Sequence, residues 1–288
     1  MSIKKYEVLL KAVDTGSFSR TGELLGYTQS GITHMMNSLE EEFGFKILKR
    51  SKSGVTLTKE GQLILPAIRD ILKLEESLQQ TVAQINGIEK GTLAIGTLTS
   101  LLLNWVPDII EIFQEAHPNI EIQVMEGKIK ELEKWLEDGT IDVCFFSQQS
   151  YHTYNCINLE DDPLLAILPK DHSLAGLNAI PVEEFSKQPF LLNAADLDVK
   201  SFLEECKVYP QISFSSNFHT AVIAMAEHNY GISILPKILC DTHNYNVITK
   251  ELNPPAARKI VMAYLPGGES SPVIHNFIKC VKKYFRKK

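Results

Sequence analysis

The sequence predicts an α/β protein built from an N-terminal winged helix-turn-helix, a long linker helix and a two-lobed α/β domain. Three observations carry this. Residues 17–43 read as a short helix, a tight turn and a second helix whose polar start gives way to an apolar stripe. Residues 58–85 keep apolar side chains at helical spacing over a length unusual for a surface helix. Beyond Gly91, short apolar runs alternate with amphipathic segments, the pattern of strands covered by helices. A chain of 288 residues also exceeds one ordinary core, so several folding units are expected.

The first helix is expected over Ile3–Asp14, with Tyr6, Leu9, Leu10 and Val13 at core spacing. Thr15-Gly16 ends it, and Ser17 is placed to cap a helix reaching Leu25. Gly26-Tyr27 makes the turn and Thr28 caps the next helix. There Ile32, Met36, Leu39 and Phe43 follow at steps of 4, 3 and 4 until Gly44 stops it. Gln29, Ser30, Thr33, His34 and Asn37 point away from that stripe. Ile47–Arg50 and Val55–Thr58, joined by residues 51–54, read as a hairpin wing.

The long helix places Ile64, Ile68, Ile71, Leu78, Val82 and Ile85 on a heptad interrupted at Glu75. This spacing favours a pairing seam over an ordinary surface helix. Pro66 removes one backbone hydrogen bond near its start, and Asn86-Gly87 closes it. Strands are then expected at residues 92–96, 120–125 and 141–146, with helices over Ser100–Ala116 and Ile129–Glu137, an alternation that predicts a parallel sheet. The pattern returns with strands at 164–168, 190–192, 212–214, 232–235 and 259–265, helices at 199–206 and 220–228, and a closing helix over Pro272–Arg286. Two such halves joined by more than one crossing leave a cleft between them, a preferred place for a ligand.

The net charge of −6 speaks against nucleic acid until it is divided. Residues 1–65 hold nine Lys/Arg and seven Asp/Glu, and the remainder 20 and 28. Lys46, Lys49, Arg50, Lys52 and Lys59 fall within residues 46–59 with no acid among them. Alone, such a run is a solvated face; directly after a helix-turn-helix it reads as phosphate-contacting. The five cysteines are odd in number and lack a CxxC pair, so they read as reduced thiols rather than disulfides, metal ligands or a redox switch. No apolar run reaches the ~18 residues of a membrane span, and the start lacks a signal-peptide pattern. There is no GxSxG, HExxH or P-loop, and Gly91–Gly96 is not a dinucleotide loop, so no catalysis, cofactor or metal is expected. His172 reads as a turn residue.

Along the chain stand Gly16-Ser17-Phe18-Ser19, Thr28-Gln29-Ser30, Leu39-Glu40, Phe43-Gly44, Arg50 and Leu57-Thr58-Lys59-Glu60-Gly61. Downstream follow Gly91–Gly96, His117-Pro118, Glu126-Gly127, Gly139–Asp142, Pro169–His172 and Gly231–Pro236. This ordered set resembles the LysR-type transcriptional regulators over nearly the whole chain. It departs from the family at Thr21-Gly22, where two alanines are usual, which implies looser packing or a shift of that helix. Ser30 replaces a usual proline, Leu48 a phenylalanine and Ile129 a small polar residue.

The resemblance implies a DNA-binding domain over residues 1–58, a dimerisation helix over 59–88 and an effector-binding domain over 89–288. The last would resemble the type 2 periplasmic binding proteins, with lobe I at 89–162 and 265–288 and lobe II at 163–264. It further implies a cytoplasmic homodimer or homotetramer that binds interrupted palindromes in promoter DNA and bends them when its ligand changes. The other partners expected are a small polar or anionic effector and RNA polymerase, with no membrane. The competing reading is a two-lobed small-molecule-binding or transport-type protein with no DNA role, which would need an export signal and no basic wing.

Candidate DNA contacts are Ser17, Gln29, Ser30, Thr33, His34, Arg50 and Lys52. A glutamine amide matches the paired donor and acceptor of adenine. His34 stands where the family often carries arginine; its other reading is a solvated helix residue. Candidate effector contacts are Thr99 and Ser100 at a strand-to-helix junction, Asn193 at the matching place in the second lobe, and Ser147 and Ser215 at strand ends. One of the Thr99 and Ser100 hydroxyls is otherwise an N-cap. Free amides at the first junction favour a carboxylate, whereas Asp196 and Asp198 at the second repel one. Ile64, Ile68, Ile71, Leu78 and Val82 are the candidate dimerisation residues.

Overall fold

The computed structural model describes residues 2–51, 54–85, 90–148, 154–240 and 245–287. Three helices open the chain, α1 (Ile3–Thr15), α2 (Phe18–Leu25) and α3 (Gln29–Phe43). Ser17 caps α2 by accepting the amide of Arg20, and Thr28 caps α3 by accepting that of Gly31 at 3.1 Å. Gly44 ends α3 at φ 78°, a conformation in which a side chain is strained. β1 (Leu48–Ser51) and β2 (Gly54–Leu57) form the antiparallel wing. Val8, Leu9, Ala12, Ile32, Met36 and Leu39 make the core that these elements share.

Thr21 and Gly22 do not loosen α2. Thr21 is fully buried, and its hydroxyl lies 2.7 Å from that of Thr15 and donates to the Ser17 carbonyl at 2.8 Å. A Cβ on Gly22 would stand 2.5 Å from the Tyr27 carbonyl oxygen. The turn therefore approaches α2 more closely than alanine allows.

α4 (Lys59–Ile85) continues through Pro66 for 27 residues and presents three different faces. Ile68, 3% exposed, packs into the N-terminal core with Ile64 and Leu72 beside it. Ile64 and Ile68 are thus taken up inside the chain, a correction to the expected seam. The exposed apolar row is instead Leu63, Ala67, Ile71, Leu74, Leu78, Val82 and Ile85. Its steps of 4, 4, 3, 4, 4 and 3 follow an 11-residue repeat, close to the natural twist of a straight helix. The third face docks on the α/β domain. Lys73 pairs with Asp142 at 2.9 Å, Arg69 donates to Thr140 Oγ1 at 2.7 Å, and Gln80 accepts from Ser271 at 2.7 Å.

The α/β part runs β3 (Gly91–Thr97), α5 (Thr99–Leu102), α6 (Val106–Ala116), β4 (Ile120–Glu126), α7 (Ile129–Glu137) and β5 (Val143–Ser147). It continues with β6 (Asn155–Pro169), β7 (Ala179–Pro181), β8 (Phe190–Asn193), α8 (Leu197–Glu205), β9 (Ile212–Ser216), α9 (His219–Glu227) and β10 (Ser233–Pro236). α10 (Lys237–Cys240), β11 (Val247–Asn253), β12 (Ala257–Tyr264) and α11 (Pro272–Lys287) complete it. The first lobe has strand order β4-β3-β5-β12-β6. β3 runs parallel to both neighbours, but β12 runs antiparallel to β5 and β6. In the second lobe β10 and β11 are both antiparallel to β6. The sheets are therefore mixed, not parallel as the alternation suggested.

β6 is one strand of 15 residues that serves both lobes. Its first part pairs with β12, and residues 164–169 pair with β10 and β11. The return crossing lies at residues 257–259: Ile260 and Met262 pack beside Phe145 and Phe277 in the first lobe's core. Lobe II therefore ends earlier than the expected residue 264. The predicted helix over 100–116 is also two helices, broken at residues 103–105 ahead of Pro107. Among the described residues no helix is long and apolar enough to cross a membrane.

Candidate DNA-reading surface and interlobe cleft

Gln29, Ser30, Thr33, His34 and Asn37 line one shallow hollow along the first half of α3. The apolar stripe behind them fixes the helix, so the polar row faces out. Arg50 of the wing donates from Nη2 to Asn37 Oδ1 at 2.6 Å, and its guanidinium lies 4.8 Å from the Phe18 ring centroid. Wing and reading helix are joined at this point. Ser17 accepts an amide as an N-cap, which fixes its hydroxyl at the start of α2. Lys52 lies outside the described residues.

Glu40, unremarked as a single residue in the sequence, holds the wing from inside. Its side chain is 4% exposed; Oε1 accepts the amides of Ile47 and Leu48 at 2.9 and 3.1 Å, and Oε2 pairs with Lys46 at 2.7 Å. Burial pushes its pKa up, but the bonds from Lys46, Leu48 and Ile47 outweigh it and hold the carboxyl below the usual range.

Between the lobes lies a cleft of about 450 Å³. Thr99, Ser100, Ser147 and Asn193 line it, and Ser215 does not. In β9 the side chains of Phe214 and Ser216 turn inward, so the period of two sends Ser215 to solvent. Asn217 and His219 reach the cleft in its place. Neither Thr99 nor Ser100 caps a helix: the N-cap is Leu98, Thr99 donates to Glu126, and Ser100 accepts from Arg258. Ile129, in place of the family's small polar residue, lines the cleft beside Lys128 and Lys130.

Arg258 was missed in the sequence because nothing near it marks it. It stands directly opposite Asp162 in the β12–β6 pairing, at the two crossings between lobes. Its side chain is 6% exposed, its Nε donates to Asp162 Oδ2 at 2.9 Å, and its Nη2 donates to Ser100 Oγ at 3.2 Å. Asp162 Oδ1 also accepts the amide of Ile238 at 3.1 Å. Across the cleft, Asp196 caps α8 by accepting the Val199 amide at 3.1 Å. Burial raises the pKa of both Asp162 and Asp196, and Arg258 opposes that rise in each.

The cysteines are free thiols. Cys144 and Cys156 flank Ala263 from opposite sides of β12. Two strand spacings, roughly 10 Å, separate them, beyond the ~7 Å that a disulfide spans. Burial raises both thiols' pKa, so they stay protonated. His172 accepts the Leu174 amide at 3.3 Å in a turn, as expected.

Residues 3–62 match the family described as bacterial regulatory helix-turn-helix protein, lysR family, and residues 86–286 match the LysR substrate binding domain. The chain belongs to the LysR family. It is a transcriptional regulator with a DNA-binding helix-turn-helix and an effector-binding domain, in a family of regulators rather than enzymes. The uncharacterized regulator YvbU of Bacillus subtilis is 28% identical, over 99% of each chain. A full-length OxyR variant from Pseudomonas aeruginosa superposes with a TM-score of 0.82 at 20% identity, covering 99% of this chain and 95% of that one. CbnR complexed with its target DNA gives 0.64 at 18% identity, with 98% and 99% covered. These two show the LysR fold.

Proposed function

We propose that this LysR regulator reads promoter DNA through Gln29, Ser30, Thr33 and His34, with Arg50 on the phosphates or minor groove, and is switched by a small molecule in the interlobe cleft. The bond from Arg50 to Asn37 carries the DNA part of this reading, because it brings the wing's cation onto the polar row of α3. The test is fluorescence anisotropy with the region upstream of its own gene against a scrambled fragment, at several salt concentrations. Gln29→Ala is expected to remove about 1–3 kcal/mol of discrimination. Arg50→Ala is expected to weaken both fragments alike and to reduce the salt slope by about 1. Equal binding of both fragments by the wild type, unchanged in Gln29→Ala, would overturn the reading.

The regulator acts as a homodimer or homotetramer in the cytoplasm, on interrupted palindromes and alongside RNA polymerase. Support for the pairing comes from the exposed row of Ile71, Leu74, Leu78 and Val82 on α4, which are 40–70% exposed in the single chain. Leu78→Glu is expected to shift the sedimentation coefficient to a smaller species; an unchanged assembly would locate the seam elsewhere. Coupling to the cleft is supported by β3. Its first residues are tied to α4 through Thr92–Glu76 at 2.6 Å, and Asp142 bonds both Lys73 of α4 and the Ala94 amide. Its far end leads into Thr99 and Ser100 at the cleft.

A further inference from the structure

The cleft holds charges of both signs in balance. Lys128, Lys130 and Arg258 supply the positive ones, and Glu131, Asp196 and Asp198 the negative. A plain anion entering would meet three carboxylates, and a plain cation three basic side chains. Arg258 and Asp196 are the buried members, each 7% exposed, whereas the lysines reach solvent. A buried charge acts on a ligand with little screening, so these two dominate recognition.

Arg258 is built as a receptor. Asp162 fixes its Nε and Ser100 takes one bond from Nη2, which leaves Nη1 with no acceptor among the described residues. A fork held in this way offers a planar pair of donors to a carboxylate at small entropic cost. Asn193, which lines the same cleft, supplies a further donor. It is 8% exposed, its Oδ1 accepts the Ala195 amide at 3.4 Å, and its Nδ2 donates to no group among the described residues. That amide nitrogen opens onto the cleft, where it can donate to an acceptor on a ligand. Beside it, Asp196 holds a carboxylate at the start of α8.

We propose that the effector is a zwitterion of the α-amino-acid class. Its carboxylate sits on Arg258, with Asn193 as a second donor. Its ammonium group faces Asp196. This rests on the cleft being the effector site, as read above. It resolves the opposition between the first lobe, which favours an anion, and the second, which repels one: each end of the ligand meets its own partner. At about 450 Å³ the cleft has room for an amino acid with a side chain of moderate size.

The experiment uses the full chain and the standard L-α-amino acids, screened by thermal shift and then by calorimetric titration. At least one is expected to bind. Its des-amino carboxylic acid and its decarboxylated amine should each bind about tenfold more weakly or worse, since each loses one of the two charged contacts. Arg258→Lys keeps a cation for Asp162 but loses the fork, and is expected to weaken binding about tenfold. Asp196→Asn preserves the helix cap while removing the charge, and should weaken the amino acid but not its des-amino acid. The melting temperature of each unliganded variant separates lost binding from lost fold. A des-amino acid that binds as well as the amino acid, or a panel in which nothing binds, would overturn the zwitterion. Selective DNA binding retained in either case would leave the DNA-reading assignment standing, so the two failures are distinguishable.

Discussion

Replacing Glu40 with alanine is expected to release the wing from α3 and to destabilise the N-terminal domain by about 2–6 kcal/mol, because two buried amides lose their acceptor at ~1–3 kcal/mol each. Both amides, those of Ile47 and Leu48, share Oε1, and the two residues are 1% and 5% exposed. Hydrogen exchange over residues 29–58 should show the loss as faster opening. Glu40→Gln keeps an oxygen at the Oε1 position and is expected to cost less. The pH dependence separates the two. Lys46 and the two amides hold the folded carboxyl below its unfolded pKa despite burial. Its stabilisation is therefore complete above the ordinary glutamate pKa and is lost as pH falls through the lower, folded value. Wild type should lose protection of this domain on acidification, and Glu40→Gln should lack that component. Equal protection in wild type and Glu40→Ala at neutral pH would show that the wing is held by other contacts.

Replacing Asp162 with alanine is expected to be as severe at the other end of the molecule, about 3–5 kcal/mol, because it strands a buried guanidinium. The Arg258 side chain is 6% exposed and its remaining protein acceptor, Ser100, is neutral. Trp105, 8% exposed in the first lobe's core, gives a fluorescence signal for urea unfolding. Burial lifts the folded pKa of Asp162 above the unfolded value, so ionising it at neutral pH works against folding, and Arg258 offsets only part of that penalty. Removing both charges with Asp162→Ala and Arg258→Met together should therefore recover much of the stability lost in the single variant. A double variant no more stable than Asp162→Ala would mean that packing at the crossing, not charge, sets the loss.

The outward polar face of α3 was legible because its signals are local. Ser17, Thr28 and Gly44 mark helix ends within a few residues of what they cap, and the stripe of Ile32, Met36 and Leu39 sets which side of α3 faces out. That Thr99, Ser100, Ser147 and Asn193 line the cleft was legible because strand ends border the crevice in α/β folds, a rule that needs only the order of elements. The same rule misplaced Ser215, where one residue of register reverses the face. It also gave a parallel sheet, because alternation along the chain does not say which strand lies beside which. The antiparallel place of β12 comes from the chain's return across the cleft.

By itself the sequence determined the three-part order, the capped helix-turn-helix and the LysR membership, since each rests on residues close together or in fixed sequence. Only the tertiary structure decided which face of α4 is free: Ile64 and Ile68 are taken by the N-terminal core, and Leu74 is left outside. It alone brought Arg258 to Asp162, 96 residues earlier, and to Ser100, 158 residues earlier. No local pattern announces such a pair, because a buried charge is tolerated only for the partner that folding brings to it.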